Sequence, residues 1–129
     1  MAILGINTAT GTTEVVLIEK EKVLFKKAWK SNRDEAEKVI PNIHQALETL
    51  AKKSSLTLEK ILIIQGPGPF TGLRVGINIA NTLAFVKKVP LITCDTFTYF
   101  SEKIPAKFQN STAITIKAGG DYVAIAKPN

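Results

Sequence analysis

Residues 61–76 read Ile61-Leu62-Ile63-Ile64-Gln65-Gly66-Pro67-Gly68-Pro69-Phe70-Thr71-Gly72-Leu73-Arg74-Val75-Gly76. The run Ile61 to Gln65 is apolar enough to predict a strand central in its sheet. Gly66-Pro67-Gly68-Pro69 must then turn the chain sharply, and a helix is expected from about Phe70 to about Val86. In that helix Phe70, Leu73, Ile77, Ala80 and Ala84 form one apolar stripe, and Val75, Ile79, Leu83 and Val86 a second, so it should be covered twice. Gly72, Gly76, Ala80 and Ala84 recur at every fourth position, a ridge of small residues that lets another helix approach closely. Arg74, Asn78 and Asn81 mark the polar strip between the stripes.

Working outward, Pro90 to Cys94 reads as a fifth strand. Upstream, residues 2–7, Thr13 to Glu19 and Val23 to Trp29 are short apolar or β-branched runs separated by a hydroxyl-rich loop and by Lys20-Glu21-Lys22, which predicts a three-stranded meander. Ser31 stands three residues before Asp34 and reads as a capping-box variant. Behind it Ala36, Val39, Ile40, Ile43, Ala46, Leu47, Leu50 and Ala51 fall within an arc of roughly 140° at helical spacing, one buried face. Pro41 interrupts that pattern, so a kink or a fresh start of the helix is expected there. After Asp95 come Phe97, Tyr99, Phe100 and Phe108, then two strand-like pieces, Ala113 to Lys117 and Tyr122 to Ala126, joined by Ala118-Gly119-Gly120-Asp121. The order β-β-β-α-β-α-β predicts a mixed sheet with helices packed on it, an α/β domain of the RNase H or actin-like kind.

A chain of 129 residues, 45% apolar, suffices for one domain with a real core and is too short for two ordinary ones. No run approaches the roughly 18 apolar residues of a membrane span. Met1 to Asn7 has no basic segment and no cleavage site behind an apolar stretch, so a cytoplasmic protein is expected. Cys94 lies in an apolar run and reads as a buried, inert thiol. His44 borders the apolar arc and reads as structural. The net charge of +6 would attract a polyanion, yet the lysines read as scattered along the chain and lack the aromatic interleaving of a single-strand platform.

Two strand ends carry the functional interest, because α/β sheets bind ligands beyond the carboxyl ends of their strands. Thr8, Thr10, Gly11 and Thr12 could donate to a phosphate, but the residue that should hold the water shell of a magnesium ion is the neutral Asn7. In the second loop Pro67 and Pro69 delete two backbone donors, so Gly66, Pro67, Gly68, Pro69, Phe70, Thr71 and Arg74 read as a rigid structural corner rather than an anion cradle. No catalytic set converges and no metal site is expected, with one histidine and aspartates only at 34, 95 and 121.

Ile6-Asn7-Thr8-Ala9-Thr10, the segment Glu35 to Pro41, and above all Gly66 to Gly76 resemble the TsaB (YeaZ) family, which partners TsaD in the threonylcarbamoyl modification of the tRNA adenosine next to the anticodon. The resemblance covers residues 1 to about 100, and Ala113 to Ala126 resemble the first hairpin of the family's second half. It implies an actin-like domain over 1–110 with a remnant hairpin of the second lobe over 111–129, as in a short or truncated member. Asn7 stands where the family usually has Asp, and Pro69 where Ser is common. The implied role is a non-catalytic partner of a TsaD-like subunit that holds the metal and the transfer chemistry. Contact would run through the helices near 33–53 and 70–86, with Ile40, Ile43, Leu47, Gly72, Leu73, Gly76 and Ala80 at the interface. A homodimer through the same surface, a TsaE-like ATPase and indirect contact with tRNA complete the implied partners, with no membrane. No cofactor is implied beyond a weak ATP or ADP contact at a partner interface. The competing readings are an actin-like nucleotide-binding ATPase, resting on Thr8 to Thr12, and a direct tRNA-binding module, resting on the net charge.

Overall fold

A computed structural model describes residues 1–103, 105, 107, 114–119 and 122–126. Strands β1 (Ala2–Asn7), β2 (Thr12–Glu19) and β3 (Lys22–Lys30) lead into helix α1 (Glu35–Ala51). Strand β4 (Leu58–Ile64), helix α2 (Phe70–Lys87), strand β5 (Leu91–Cys94) and the short helix α3 (Thr96–Ser101) follow, and then β6 (Ile114–Gly119) and β7 (Tyr122–Ala126). The five-stranded sheet has the order β3-β2-β1-β4-β5, with the first three strands antiparallel and β4 and β5 parallel to β1. This is the mixed α/β sheet that the order of elements predicts. β6 and β7 pair separately as an antiparallel two-stranded sheet. Ala113, Phe108, Gly120 and Asp121 lie outside the described residues.

The core forms on one face of the sheet. Ala2, Leu4 and Ile6 of β1, Val15 and Leu17 of β2, and Ile61 and Ile63 of β4 point to that face, where Val39, Ile43, Ala46 and Leu50 of α1 and Ala80 and Ala84 of α2 cover them. Alternation at period two selects these residues in the strands, and spacing of three and four selects them in α1.

Three local expectations are corrected. Ser31 does not cap α1. Its hydroxyl is 2.6 Å from that of Thr13, tying β3 to β2, while Asp34 sits at the N-cap and pairs with Lys38 at 2.6 Å. Pro41 does not restart α1, which runs unbroken through it. Pro41 is exposed, as is Glu37 one turn earlier, so water can satisfy the carbonyl that loses its helical partner. The buried arc of α1 is also narrower than its apolar pattern suggested, because Ala36, Ile40 and Ala51 face solvent.

Helix α3 is an element that the aromatic pattern did not announce. Asp95 caps it, accepting from the backbone N–H and the hydroxyl of Thr98, both at 2.8 Å. Thr96, fully buried, donates its hydroxyl to the Pro67 carbonyl at 2.6 Å, which pins α3 to the corner after β4. No helix among the described residues is long and apolar enough to cross a membrane.

Candidate functional site

The carboxyl ends of β1, β4 and β5 bring together the loop after Asn7, the Gly-Pro-Gly-Pro corner and the start of α3. Asn7 is 4% exposed and organises the first of these. Its amide donates to the Thr10 hydroxyl and to Glu14, both at 3.0 Å, and its carbonyl oxygen accepts from the Ala9 N–H at 3.0 Å. The Asn7–Glu14 contact follows from register, since the two residues face each other across β1 and β2. An Asp at position 7 would set two carboxylates against each other. Glu14 also accepts from the Tyr99 hydroxyl at 2.5 Å, and Lys103 in turn donates to Tyr99 while lying 4.1 Å from the centre of its ring. Thr10, Gly11, Thr12, Glu14, Tyr99, Phe100 and Lys103 line a cavity of about 200 Å³.

Burial pushes the Glu14 carboxyl up, but hydrogen bonds from Tyr99 and Asn7 and the charges of Lys103 and Lys26 outweigh it and hold the group below its ordinary value. A depressed folded-state value means stability that is present above the unfolded value, about 4.3 for glutamate, and lost as pH falls through the folded one. Tyr99→Phe should therefore make the acid limb of the stability profile shallower below about pH 4.3, as followed by thermal unfolding. Acid limbs of equal steepness in the two proteins would show that Tyr99 does not hold Glu14 ionised.

The residues present do not suit a nucleotide phosphate here. The Thr10 hydroxyl donates to the Thr12 carbonyl at 2.6 Å, the Asn7 amide donors are taken, and a carboxylate lines the cavity. Thr8, a predicted phosphate donor, is turned inward. It is 2% exposed, lies against α2, and its hydroxyl has no hydrogen-bond partner among the described residues. Thr10, Gly11 and Thr12 do line one cavity, as the sequence grouped them.

The glycine ridge has a different neighbour from the one expected. A Cβ on Gly68 would lie 2.2 Å from the Ala9 carbonyl oxygen, one on Gly72 2.5 Å from that of Thr8, and one on Gly76 2.0 Å from the Thr8 hydroxyl. The ridge therefore admits the loop after β1 rather than another helix, and Gly72, Gly76 and Ala80 are buried within the domain. Leu73 packs beneath Gly66, whose φ of +110° makes the turn, and Leu47 packs partly on the core. Gly72, Gly76 and Ala80 are thus turned into the domain, whereas Leu47 and Leu73 remain half-buried.

What α2 does present is its larger residues. Because its small residues meet the sheet and the β1–β2 loop, Ile79, Leu83 and Val86 are left facing α1 and solvent. With Ile40, Ile43, Asn78 and Thr82 they line an open groove of about 380 Å³ between the helices. Ile40 is 56% exposed and Val86 64%. Phe70 was assigned to the buried stripe and is instead 68% exposed, with Arg74 stacked 5.3 Å from its ring. Ile40 and Ile43 reach the groove from α1, Ile79, Leu83 and Val86 reach it from the second stripe of α2, and only Thr82 had no sequence signal. His44 is exposed, 3.5 Å from Glu48, and Cys94 is half-buried, its thiol pushed up by burial. Among the described residues no three His, Cys, Asp or Glu side chains gather as a metal site.

A family model described as TsaD: tRNA N6-adenosine threonylcarbamoyltransferase matches residues 29–127. The chain belongs to this TsaD/TsaB family. Within the family it is similar to the tRNA threonylcarbamoyladenosine biosynthesis protein TsaB of Buchnera aphidicola subsp. Schizaphis graminum, at 28% identity over 123 residues that cover 93% of this chain and 58% of that protein. TsaB of Bacillus subtilis is 29% identical over 91 residues, covering 70% of this chain and 39% of its own. YeaZ from Pseudomonas aeruginosa superposes with a TM-score of 0.77 at 21% identity, covering 95% of this chain and 57% of that one, and so shares the fold. The chain spans about half the length of the TsaB relatives it matches.

Proposed function

We propose that this chain is a TsaB-like scaffold, itself non-catalytic, that docks on a TsaD-like transferase subunit and supports threonylcarbamoyl modification of the tRNA adenosine next to the anticodon. The observation that carries this reading is the apolar groove between α1 and α2, whose exposed walls Ile40 and Val86 stand free in the isolated chain. Exposed apolar area of this kind gains roughly 25 cal/mol per Å² on burial, and a groove between two helices suits a helical partner face. Family context supports the choice of partner: the chain resembles TsaB-named relatives and matches a family model named for the transferase. Because homologous domains can meet through like surfaces, the same groove serves a homodimer when the transferase is absent.

The test is reconstitution. This chain alone should form no threonylcarbamoyl adenosine on tRNA, whereas adding it to its TsaD-like partner, with the threonylcarbamoyl donor supplied, should raise product formation until the two proteins are equimolar. Product from this chain alone would overturn the non-catalytic assignment, and a yield indifferent to its addition would overturn the scaffold.

A further inference from the structure

Residues 20–33 hold almost all of the excess charge. Lys20, Lys22, Lys26, Lys27, Lys30 and Arg33 stand there against Glu21 alone, so this segment carries +5 of the net +6. The fold converts that run into a surface, because β3 is the outermost strand of the sheet and its four lysines are all exposed. Lys26 and Lys30 lie opposite Val16 and Thr12, and Lys27 lies opposite Val15, so cations project from both faces of one edge. Lys20 and Arg33 extend the strip at its two ends, in turn conformations with φ of 52° and 57°. None of the six is within ion-pair distance of a carboxylate among the described residues.

Lysines on an edge strand also deter pairing with other chains. That alone does not account for this strip. The opposite edge, β5, reads Leu91-Ile92-Thr93-Cys94 with Ile92 39% exposed and no charge within it, so edges in this fold are not guarded by lysine as a rule. Deterrence also needs no single sign, and it does not explain Lys20 and Arg33 beyond the strand.

We propose that the β3 edge is a contact surface for the sugar-phosphate backbone of an RNA. Lysines on flexible stems pair with phosphates as point charges, and Phe25 and Trp29 are packed against the core rather than offered to bases, so the contact reads charge and not sequence. The choice of RNA over other polyanions rests on the reading that the chain serves tRNA modification. The position suits it, since α1 packs over β2 and β3 and also meets α2, and among the described residues β3 pairs with β2 alone.

The test measures binding of unmodified tRNA by fluorescence anisotropy from about 50 to 200 mM salt, with the whole chain alone and mixed with its TsaD-like partner. Lys22→Glu/Lys26→Glu/Lys30→Glu should weaken binding about 100-fold at low salt and flatten the salt dependence by about two to three contacts, whereas Lys52→Glu/Lys53→Glu/Lys87→Glu, with the same change in net charge, should cost under about threefold. Lys22→Gln/Lys26→Gln/Lys30→Gln gives the same comparison should the reversed protein not fold. Equal losses in the β3 and control variants would overturn the proposal, as would an unaffected β3 variant or a parent chain that does not bind tRNA. Binding to phosphatidylserine vesicles that the β3 variant loses while keeping tRNA would assign the strip to a membrane and overturn it as well. Light scattering of the same mixtures separates the two claims: the β3 variant should still associate with the TsaD-like subunit, and absence of that complex in the parent chain would contradict the scaffold without touching the tRNA result for the chain alone.

Discussion

Gly68→Ala should lower the unfolding free energy by about 3 kcal/mol, the range of substitutions that overpack a rigid site. The added Cβ would sit 2.2 Å from the Ala9 carbonyl oxygen and 3.0 Å from its carbon. That obstacle is backbone, and it cannot swing away: Ala9 is fully buried and its N–H is held by Asn7 at 3.0 Å. Gly76→Ala meets a side chain instead, the Thr8 hydroxyl at 2.0 Å, and a helical glycine replaced by alanine regains about 1 kcal/mol of propensity. Its loss should therefore be smaller, and Thr8→Ala, which removes both the hydroxyl and the methyl group in the way, should recover part of it in the double variant. Urea titrations followed through Trp29, the chain's one tryptophan, would measure all four proteins. A Gly68→Ala protein within about 0.5 kcal/mol of the parent, the span of an ordinary surface change, would show that the two loops do not meet as described.

The second large effect concerns association. Ile40→Asp/Val86→Asp places two carboxylates on the walls of the α1–α2 groove, at positions so exposed that folding stability should move by less than about 0.5 kcal/mol each. In a docked complex the same carboxylates would be buried without partners, and affinity for the TsaD-like subunit should fall by at least about 100-fold. Isothermal titration of the folded variant gives that ratio. Unchanged affinity would move the interface off the groove.

The α/β architecture was legible because each element carried its own period: the apolar run Ile61 to Gln65, the helical spacing from Val39 to Leu50, and the punctuation at Gly66 to Pro69. The choice of which face is buried was less legible, because it depends on neighbours that periodicity cannot name. Ile40 and Phe70 fit their apolar stripes, yet both are more than half exposed. The glycine ridge was visible, but its partner is an irregular loop some 60 residues upstream, so a second helix was the natural expectation and Thr8 was read as a ligand donor. Helix α3 is six residues long, too short for a periodic signal, and the one cue to it is the capping pattern Asp95-Thr96-Phe97-Thr98. In the sequence Asn7 stands out for the carboxylate it lacks. Its role in bracing Thr10, Ala9 and Glu14 needed the register of β1 against β2. The lysines are spread along the whole sequence, and only the sheet order shows how many fall on one edge strand.

Docking on a TsaD-like subunit through the α1–α2 groove is tested by light scattering of the chain alone, of the mixture, and of the mixture with Ile40→Asp/Val86→Asp. The parent chain should form a 1:1 complex, and the variant should give separate species. Separate species in both mixtures would contradict the docking.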